Sequence, residues 1–325
     1  MSIHNHFFNE DCISGARKHL PDDCVDLIVT DPPYGIEGDR LHKHYNRKEE
    51  YVIDGYIEIP LSDYANFSKE WIRQAGRILR PGGSIYIVSG YTNLYDILNA
   101  LRDTSLEEVN HIIWKYNFGV YTSRKYVSSH YHILYYVKPG GTATFNTYCR
   151  YGPMEKDEDG GSLNYQDRED VWVINREYKP GQQKNKNELP TELLQKIIRY
   201  SSNEGDLICD LFLGSFSTAR VARGLNRNAT GFEKSEQAYH HGKSLLEKTD
   251  PGELLDSVRN PRGTPPSNQG KRWTDEEKLE FAERFHALRE QYSTKKAVIR
   301  ELSEEFGRGR FSVANMIKAV EEQDL

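Results

Sequence analysis

The residues best suited to chemistry form one short stretch, Asp31-Pro32-Pro33-Tyr34-Gly35, directly after an apolar run. Because prolines fix the backbone and cannot continue a sheet ladder, the predicted strand Val25–Thr30 must end here. The Asp31 carboxylate and the Pro32 carbonyl would then face one cleft and accept hydrogen bonds from a single amino group. The lone pair of that amino group would point at an electrophilic methyl group, and the Tyr34 ring offers a face on which a flat heterocycle can stack. The structural alternative is a proline-terminated loop in which Asp31 only caps a turn.

A second stretch, Asp210-Leu211-Phe212-Leu213-Gly214-Ser215, ends a predicted strand and turns straight into a predicted helix. Such a turn brings bare backbone and free helix N–H groups close to a ligand. The next predicted strand ends at Glu233, where a carboxylate can accept both hydroxyls of a ribose. The two features favour a nucleoside-shaped cofactor, although any doubly wound sheet contains a turn of this type.

Alternating helix and strand patterns surround these two stretches. Predicted helices cover 62–80, 93–103, 191–201 and 217–224, and predicted strands cover 25–30, 84–89, 109–115, 131–137, 207–212 and 229–233. Pro81-Gly82-Gly83 is the signal that ends the first of these helices. The alternation predicts a doubly wound, mostly parallel α/β sheet, with 109–115 and 131–137 as an antiparallel edge hairpin.

The composition changes twice along the chain. Residues 140–185 lose all regular pattern and are interpreted as a variable insert, and 250–271 are rich in Pro, Gly, Ser and Asn, as in a linker. Thr274 and Glu277 form a capping box for a helix with Leu279, Phe281, Ala282, Phe285 and Leu288 on its apolar face. The predicted domains are therefore 1–249, containing the insert, and a small all-α domain over 272–325.

Length and composition exclude several classes of protein. The 325 residues carry a formal net charge of -6 and contain neither a membrane-spanning apolar run nor a signal peptide, so we expect a cytoplasmic protein without a membrane partner. The four cysteines show no CxxC pairing, which argues against a metal site and against a disulfide framework. The charge alone does not decide the partner, because a local cationic cleft can attract a polyanion.

Taken in order, these motifs resemble the amino-methylating DNA methyltransferases, in the permuted arrangement called the β class. In that family the DPPY motif comes first and the FxGxG turn comes late, as it does here at 31–34 and 212–216. The stretch 184–190 followed by 191–194 is similar to the family's lead-in to the cofactor strand. The resemblance covers residues 6–248.

The resemblance implies a Rossmann-like fold that uses S-adenosyl-L-methionine. It implies that Asp11 and Cys12 lie near the cofactor's adenine, Glu233 at its ribose and Asp31 at the point of methyl transfer. The implied cofactor-binding set is Asp11, Cys12, Asp31, Asp210, Phe212, Gly214, Ser215 and Glu233, and the implied catalytic set is Asp31, Pro32, Pro33 and Tyr34.

This chain departs from the family pattern at three places. Phe216 replaces the second glycine of FxGxG, so we expect it to pack rather than to contact a cofactor. Leu189 stands where the family usually has a lysine. The hairpin, where many relatives carry an acid, reads Ser129-His130-Tyr131-His132, and we interpret the two histidines as buried, hydrogen-bonded structural residues.

The implied reaction is direct transfer to an amino nitrogen of a base that has been flipped out of double-stranded DNA. A cytosine-C5 enzyme would instead need a Pro-Cys nucleophile, and no cysteine here follows a proline. The candidate pocket and DNA contacts are Trp114, Tyr116, Phe118, Tyr121, Arg124 and Lys125. Trp114 fits the sheet core equally well, and loop cations such as Arg124 are usually only solvated.

The last domain has three short helices with Trp273 near the start and a Gly-Arg turn before the third helix. This arrangement resembles a helix-turn-helix or Myb-like module. The residues then expected to face DNA are Arg308, Arg310, Ser312, Asn315 and Lys318. A helical bundle for dimerisation is the alternative, because acidic and basic residues are nearly balanced.

Adenine N6 is the expected acceptor, because cytosine members of the family more often have Ser in place of Asp31. N4 of cytosine is the first alternative, followed by an RNA substrate, a protein substrate or a non-catalytic DNA-binding regulator. A homodimer and a cognate restriction endonuclease are partners that the sequence leaves open.

Overall fold

The computed structural model describes residues 3–33, 59–117, 119, 121, 123–177, 188–255, 257, 267–268, 270–292 and 294–322. The chain divides into two compact units. The first consists of Met1–Tyr151 and Leu163–Asn260, and the second of Gly152–Ser162 and Pro261–Leu325. Residues 152–162 therefore group with the second unit, whereas the sequence placed the whole insert in the first domain.

The first unit is built on a sheet of eight strands within the described part of the chain. The strands are β1 (Phe7–Phe8), β2 (Val25–Thr30), β3 (Leu79–Ser89), β4 (Glu107–Lys115), β5 (His130–Val137), β6 (Val171–Val173), β7 (Leu207–Asp210) and β8 (Asn228–Phe232). Their order across the sheet is β1-β8-β7-β2-β3-β5-β4-β6. Of these eight strands, only β5 runs antiparallel to its two neighbours, so the predicted mostly parallel sheet is confirmed.

The predicted hairpin of β4 and β5 forms, but it does not lie at the edge of the sheet. The short strand β6 pairs in parallel with β4, through Trp114 opposite Trp172, and takes the edge position instead. Three residues from the insert, which looked irregular in sequence, thereby extend the sheet. The prediction of an edge hairpin was wrong on this point.

Helices cover both faces of the sheet. They are α1 (Cys12–His19), α2 (Leu61–Ile78), α3 (Leu94–Arg102), α4 (Leu163–Asp167), α5 (Thr191–Ser201), α6 (Ser217–Gly224) and α7 (Glu236–Glu247). Because strand side chains alternate, Leu27 and Val29 of β2 pack in one apolar cluster and Ile28 packs in the other. The first cluster includes residues of α5 and α6, and the second includes residues of α1, α2 and α3.

Helix α2 ends at Ile78, before the Pro81-Gly82-Gly83 signal that was expected to stop it. Those three residues lie within β3, opposite a shift in register between Val25 and Leu27 of β2. Gly82 has φ 77°, and a Cβ there would clash with the Thr142 carbonyl oxygen. The glycine thus allows a close approach of two chain segments and does not end the helix.

The insert is anchored to α5 through a buried carboxylate. Asp167 accepts a hydrogen bond from the Tyr200 hydroxyl at 2.6 Å and pairs with Arg150 and Lys196 at 3.1 and 3.5 Å. The Lys196 ammonium also lies 4.4 Å from the centre of the Trp172 ring, and burial lowers its pKa to about 8. These contacts hold α4 and β6 in place next to the sheet.

The second unit contains α8 (Asp275–Gln291), α9 (Lys295–Glu305) and α10 (Arg310–Glu321). Its core includes Phe281, Phe285 and Leu288, and the predicted capping box at the start of α8 is present. Leu279, predicted to face this core, is instead 69% exposed. No helix among the residues described is both long and apolar enough to cross a membrane.

Candidate active site

The predicted transfer motif lies at the carboxyl edge of the sheet. Strand β2 ends at Thr30, and the chain then leaves the ladder through Asp31, Pro32 and Pro33. Pro32 is buried, whereas Asp31 and Pro33 are half-buried. The two prolines leave this stretch without the N–H groups that a neighbouring strand would need, so the strand stops where the sequence predicted. Tyr34, the predicted stacking residue, lies outside the described residues.

A side-chain hydrogen bond joins this motif to the predicted cofactor strand. The Thr30 hydroxyl donates to Asp210 Oδ1 at 3.0 Å, and the backbone N–H of Phe212 donates to the same oxygen at 3.0 Å. Asp210 is buried, and burial raises its pKa to about 6. Because β2 and β7 are neighbouring parallel strands, their carboxyl ends form one edge, where ligands of open α/β sheets bind.

The turn after β7 is shaped by two residues with left-handed backbone. Gly214 has φ 51° and Phe216 has φ 61°, and Phe216 is the N-cap of α6. The Phe216 ring is fully buried, contacts Phe7 and Tyr239, and lies so close to Gly242 that a Cβ there would clash with it. Phe216 therefore packs in the core, as its departure from the family motif suggested, while Gly214 keeps the turn open.

Glu233 closes this turn from the end of β8. Its Oε2 accepts a hydrogen bond from Gly214 N at 2.8 Å and its Oε1 accepts one from Ser235 N at 2.7 Å. Burial raises the pKa of this carboxyl. Since a carboxylate offers about four lone-pair positions, Glu233 can hold the turn and still accept hydrogen bonds from a ligand.

The N-terminal candidates reach the same edge through β1. The N–H of Glu233 donates to the Phe8 carbonyl at 3.0 Å, so the chain that leads to Asp11 runs beside β8. Asp11 caps α1 by accepting from Ile13 N and Ser14 N at 3.0 and 3.1 Å. Cys12 is buried, and burial together with the charges of Asp11 and Asp210 raises the pKa of its thiol. The thiol is therefore protonated near neutral pH and is no nucleophile.

Two other predicted cofactor residues, Ser215 and Phe212, belong to the turn after β7. Ser215 is 5% exposed, the same fraction as Cys12 and Asp210. The Phe212 ring is half-buried and packs against Phe67 and Trp71, with ring centres 5.9 and 5.5 Å away. The edge therefore brings together Asp11, Cys12, Asp31, Asp210, Gly214 and Glu233, while the Phe212 side chain joins the core.

The candidate base pocket separates into buried and exposed parts. Trp114 is buried, and its indole N–H donates to the Ile174 carbonyl at 2.8 Å, which supports its alternative role as a core residue. Tyr116 is 8% exposed and packs against Trp114. Tyr121 is 83% exposed, and Arg124 and Lys125 are exposed in the same loop. Phe118 lies outside the described residues.

Two residues that the sequence did not point to lie next to this pocket. Arg176 Nη2 donates to the Tyr131 hydroxyl at 2.9 Å, and its guanidinium carbon lies 5.0 Å from the Tyr116 ring centre and 5.3 Å from that of Tyr131. Tyr131 fits the alternating pattern of a strand and therefore looks like an ordinary strand residue in the sequence. Only its position near the end of the strand could have identified it as a site residue. Arg176 comes from the patternless insert, where no sequence signal identifies it.

Two carboxylates fix the chain at the start of α5. Glu188 forms an ion pair with Arg220 of α6, and Glu177 Oε1 accepts a hydrogen bond from Thr191 N at 2.6 Å. Leu189, which replaces the family's lysine, is buried. The start of α5 is thus fixed both to the cofactor turn's helix and to the end of the insert.

The hairpin histidines differ from one another. His132 is half-buried and shares a hydrogen bond of 2.8 Å with His111, so the structural interpretation holds for this residue. Burial and the neighbouring imidazoles lower its pKa to about 4. His130 is exposed, and the prediction of burial was wrong for it. Within the described ranges, no three His, Cys, Asp or Glu side chains are grouped so as to hold a metal ion.

In the second unit, Arg308 was predicted to face DNA, but its side chain is buried. It is 3% exposed, pairs with Glu277 at 2.7 Å and lies 4.4 Å above the Trp273 ring. Ser312 is also engaged, since it accepts a hydrogen bond from the Trp273 indole at 3.0 Å. These residues hold the unit together, and the predicted DNA contacts of α10 that keep some exposure are Arg310, Asn315 and Lys318.

Comparison with known proteins gives this geometry its context. A sequence profile described as DNA methylase, of the N6 and N4 type, matches residues 25–244. The chain is 29% identical over 241 residues to the type II methyltransferase M.HpaI of Haemophilus parainfluenzae, covering 71% of each protein. It is 33% identical over 240 residues to M.BamHI of Bacillus amyloliquefaciens, covering 70% of this chain but only 53% of M.BamHI.

Solved structures share the fold at lower identity. TTHA0409 of Thermus thermophilus, complexed with S-adenosyl-L-methionine, superposes with a TM-score of 0.55 at 22% identity, covering 76% of this chain and 95% of TTHA0409. The cytosine-N4-specific PvuII DNA methyltransferase has a TM-score of 0.55 at 11% identity, covering 79% of this chain and 94% of PvuII methyltransferase. The profile match spans more than half of the chain, and the protein therefore belongs to the N6- and N4-type DNA methylase family.

Proposed function

We propose that this protein transfers the methyl group of S-adenosyl-L-methionine to the exocyclic amino nitrogen of a base in double-stranded DNA, with N6 of adenine as the acceptor. The hydrogen bond between Thr30 and Asp210 is the observation that carries the proposal. It ties the end of the strand that bears Asp31 to the strand that precedes the Gly214 turn. An acceptor site and a nucleoside site are thereby adjacent at one sheet edge.

The residues at this edge fit the proposed cofactor. Glu233 supplies a carboxylate for ribose hydroxyls, and the positive φ of Gly214 brings bare backbone to the surface of the turn. Two proteins that share this fold, TTHA0409 and M1.HpyAVI, have been solved as complexes with S-adenosyl-L-methionine. Bound here, the cofactor would supply a methyl group activated by a positively charged sulfur.

The chain's own contribution to the reaction is positioning. The Asp31 carboxylate and the Pro32 carbonyl accept the two hydrogens of the amino group, which directs the nitrogen lone pair toward the methyl group. The prolines hold both acceptors in place, because neither proline can rotate about its N–Cα bond. Reaching this site from a duplex requires the target nucleotide to leave the base stack.

Adenine is preferred over cytosine on the identity of residue 31. The resemblance associates Asp31 with adenine and Ser with cytosine, and Asp31 is present here. N4 of cytosine is the second candidate, because the PvuII methyltransferase, which is cytosine-N4-specific, shares the fold over 79% of this chain.

DNA contacts would come from both units. The loop between β4 and β5 exposes Tyr121, Arg124 and Lys125, and α10 exposes Arg310 and Lys318. Cations in such positions bind the phosphate backbone of DNA. The insert at 140–185 would contribute the contacts that recognise the bases. A second copy of the chain and a cognate restriction endonuclease are the further partners of this proposal.

The test is transfer of labelled methyl from S-adenosyl-L-methionine to unmethylated genomic DNA, total RNA and bulk protein, followed by nucleoside mass spectrometry. We expect label in DNA as N6-methyladenine. The Asp31→Ala protein should transfer methyl at least about 100-fold more slowly, whereas Tyr95→Phe, an exposed substitution on α3, should match the wild type. N4-methylcytosine would confirm the chemistry and refute the choice of base. Label in RNA or protein alone would refute DNA as the substrate.

A further inference from the structure

Three aromatic rings form a cluster where the carboxyl end of β4 lies beside the amino end of β5. The Tyr131 ring centre lies 5.5 Å from that of Trp114 and 5.4 Å from that of Tyr116. Trp114 is 1% exposed and Tyr116 8% exposed, so the first two rings are part of the protein's interior. Tyr131 is only half-buried and is the most exposed ring of the cluster.

Arg176 covers this cluster. Its guanidinium lies over the rings of both Tyr116 and Tyr131, and it donates a hydrogen bond of 2.9 Å to the Tyr131 hydroxyl oxygen. A guanidinium held by two ring faces and one hydrogen bond has little freedom to move. Because Arg176 donates to the phenol oxygen, the phenol's own hydrogen is directed away from Arg176.

Tyr131 packs on the face of the sheet that also carries Val29, two residues before Asp31. Val29, Val88 and Ile133 pack in one apolar cluster, and Val88 pairs with Ile133 across β3 and β5. Since side chains alternate along β5, Tyr131 is the next position on that face after Ile133, and Asp31 follows Val29 by two residues, directly after the end of β2. Burial raises the pKa of the Tyr131 hydroxyl, and the negative charge of Asp31 raises it further. The two side chains are thus within electrostatic range of each other. Two strand spacings, about 10 Å, separate β2 from β5 and leave room for a planar base.

We propose that the Tyr131 hydroxyl contacts the target base on the side opposite Asp31, and that Arg176 is a positioning residue that fixes Tyr131. This inference rests on the proposed function, since it assigns residues to the base-binding half of that site. Asp31 would hold the amino group and Tyr131 would orient the ring that carries it. The insert thereby contributes to the reaction site as well as to DNA contacts, because it places Arg176 there.

The end of the insert contacts both the base-binding half and the cofactor-binding half of the proposed site. Glu177, the neighbour of Arg176, accepts the hydrogen bond from Thr191 N at the start of α5. The segment 174–177 is therefore bonded both to Tyr131 and to the start of the helix beside the cofactor turn. The geometry assigns this short segment as the link between the insert and the pocket.

The experiment compares Tyr131→Phe, Arg176→Ala, Arg176→Lys and the double variant Tyr131→Phe/Arg176→Ala in full-length protein. Tyr95→Phe and Arg73→Ala serve as matched controls, since both residues are exposed on helices and neither is assigned to the site. For each protein we would measure kcat and KM for genomic DNA, the Kd for S-adenosyl-L-methionine by calorimetry, and the melting temperature.

Loss of one hydrogen bond to the base should lower kcat/KM of Tyr131→Phe about 10-fold, with cofactor Kd unchanged. Arg176→Ala should lose at least as much, Arg176→Lys less, and the double variant no more than Arg176→Ala alone. This non-additivity is expected if Arg176 acts through Tyr131. A purely structural role would change the melting temperature instead.

Wild-type kinetics in Tyr131→Phe would overturn this inference while leaving the proposed function intact. Fully additive losses in the double variant would also overturn it, because Arg176 would then act independently of Tyr131. A wild-type protein that methylates no DNA would refute the proposed function and this inference with it. These outcomes are distinguished by the activity of the wild type, which is measured in the same series.

Discussion

Asp210 is a carboxylate whose ionisation opposes folding. It is 5% exposed, and burial raises its pKa from 3.8 to about 6 despite hydrogen bonds from Thr30 and the Phe212 backbone. Because the folded pKa lies above the unfolded one, the ionised form destabilises the folded state. The penalty is absent below pH 3.8 and complete above about pH 6. We therefore expect Asp210→Asn to stabilise the protein at pH 8.

The size of this effect follows from the shift. A rise of about two pKa units corresponds to about 3 kcal/mol. The asparagine oxygen can still accept both hydrogen bonds, but its NH2 group needs acceptors of its own, so the expected gain is about 1–3 kcal/mol at pH 8. The gain should fall toward zero as the pH approaches 4. In return, the variant should bind S-adenosyl-L-methionine about 10-fold more weakly, because a charged group kept at such a cost usually serves a site.

Denaturant unfolding of the full chain at pH 8, 6.5 and 5 measures the first effect, and titration calorimetry measures the second. Asp206→Asn is the matched control, since Asp206 directly precedes the other end of the same strand and accepts from Asn203 N at 2.7 Å. Its cofactor affinity should equal that of the wild type. The reasoning is refuted if Asp210→Asn is less stable than the wild type at pH 8, or if the difference between them does not change with pH.

Three further outcomes follow from particular contacts. Arg308→Ala removes a buried guanidinium that packs over Trp273 and pairs with Glu277, so denaturation of the full chain should show a less stable second unit, with cofactor affinity unchanged. The pKa of His132 is lowered from 6.5 to about 4, so the unfolded state takes up the proton first and stability is lost as the pH falls through this range. Between pH 7 and pH 4.5, the melting temperature of His132→Gln should fall by less than that of the wild type. Equal falls in melting temperature would contradict this explanation. Gly214→Val forces a branched residue to φ 51° and should cost about 2 kcal/mol and about 10-fold in cofactor affinity. Gly252→Val, at φ 78° outside the site, should cost stability alone.

Elements bounded by strong local signals were predictable from the sequence. Helices Thr191–Ser201 and Ser217–Gly224 have the predicted bounds, because a proline precedes the first and a glycine turn precedes the second. Strand Val25–Thr30 also has its predicted bounds, since prolines end it. The same signals mark the transfer motif and the Gly214 turn, which is why most of the candidate site was visible in the sequence.

Features that depend on contacts distant in sequence were missed. Strand Val171–Val173 has three residues and no pattern of its own, and only its pairing with β4 makes it the edge of the sheet. Arg308 was predicted to contact DNA because it lies in the Gly-Arg turn of a module that resembles a helix-turn-helix. Its burial depends on the meeting of Trp273 and Glu277, which are more than thirty residues away. Arg176 was missed for the same reason, since its role comes from rings on two other segments.

The central claim is that Asp31 serves methyl transfer and Glu233 serves cofactor binding within one site. The most direct measurement determines cofactor Kd and the single-turnover rate of methyl transfer to DNA on the same preparations of Asp31→Ala and Glu233→Gln. We predict that Asp31→Ala binds the cofactor within a few-fold of the wild type but transfers methyl at least about 100-fold more slowly. Glu233→Gln should bind about 10-fold more weakly and recover its rate at saturating cofactor. Transfer by Asp31→Ala at the wild-type rate would contradict the account.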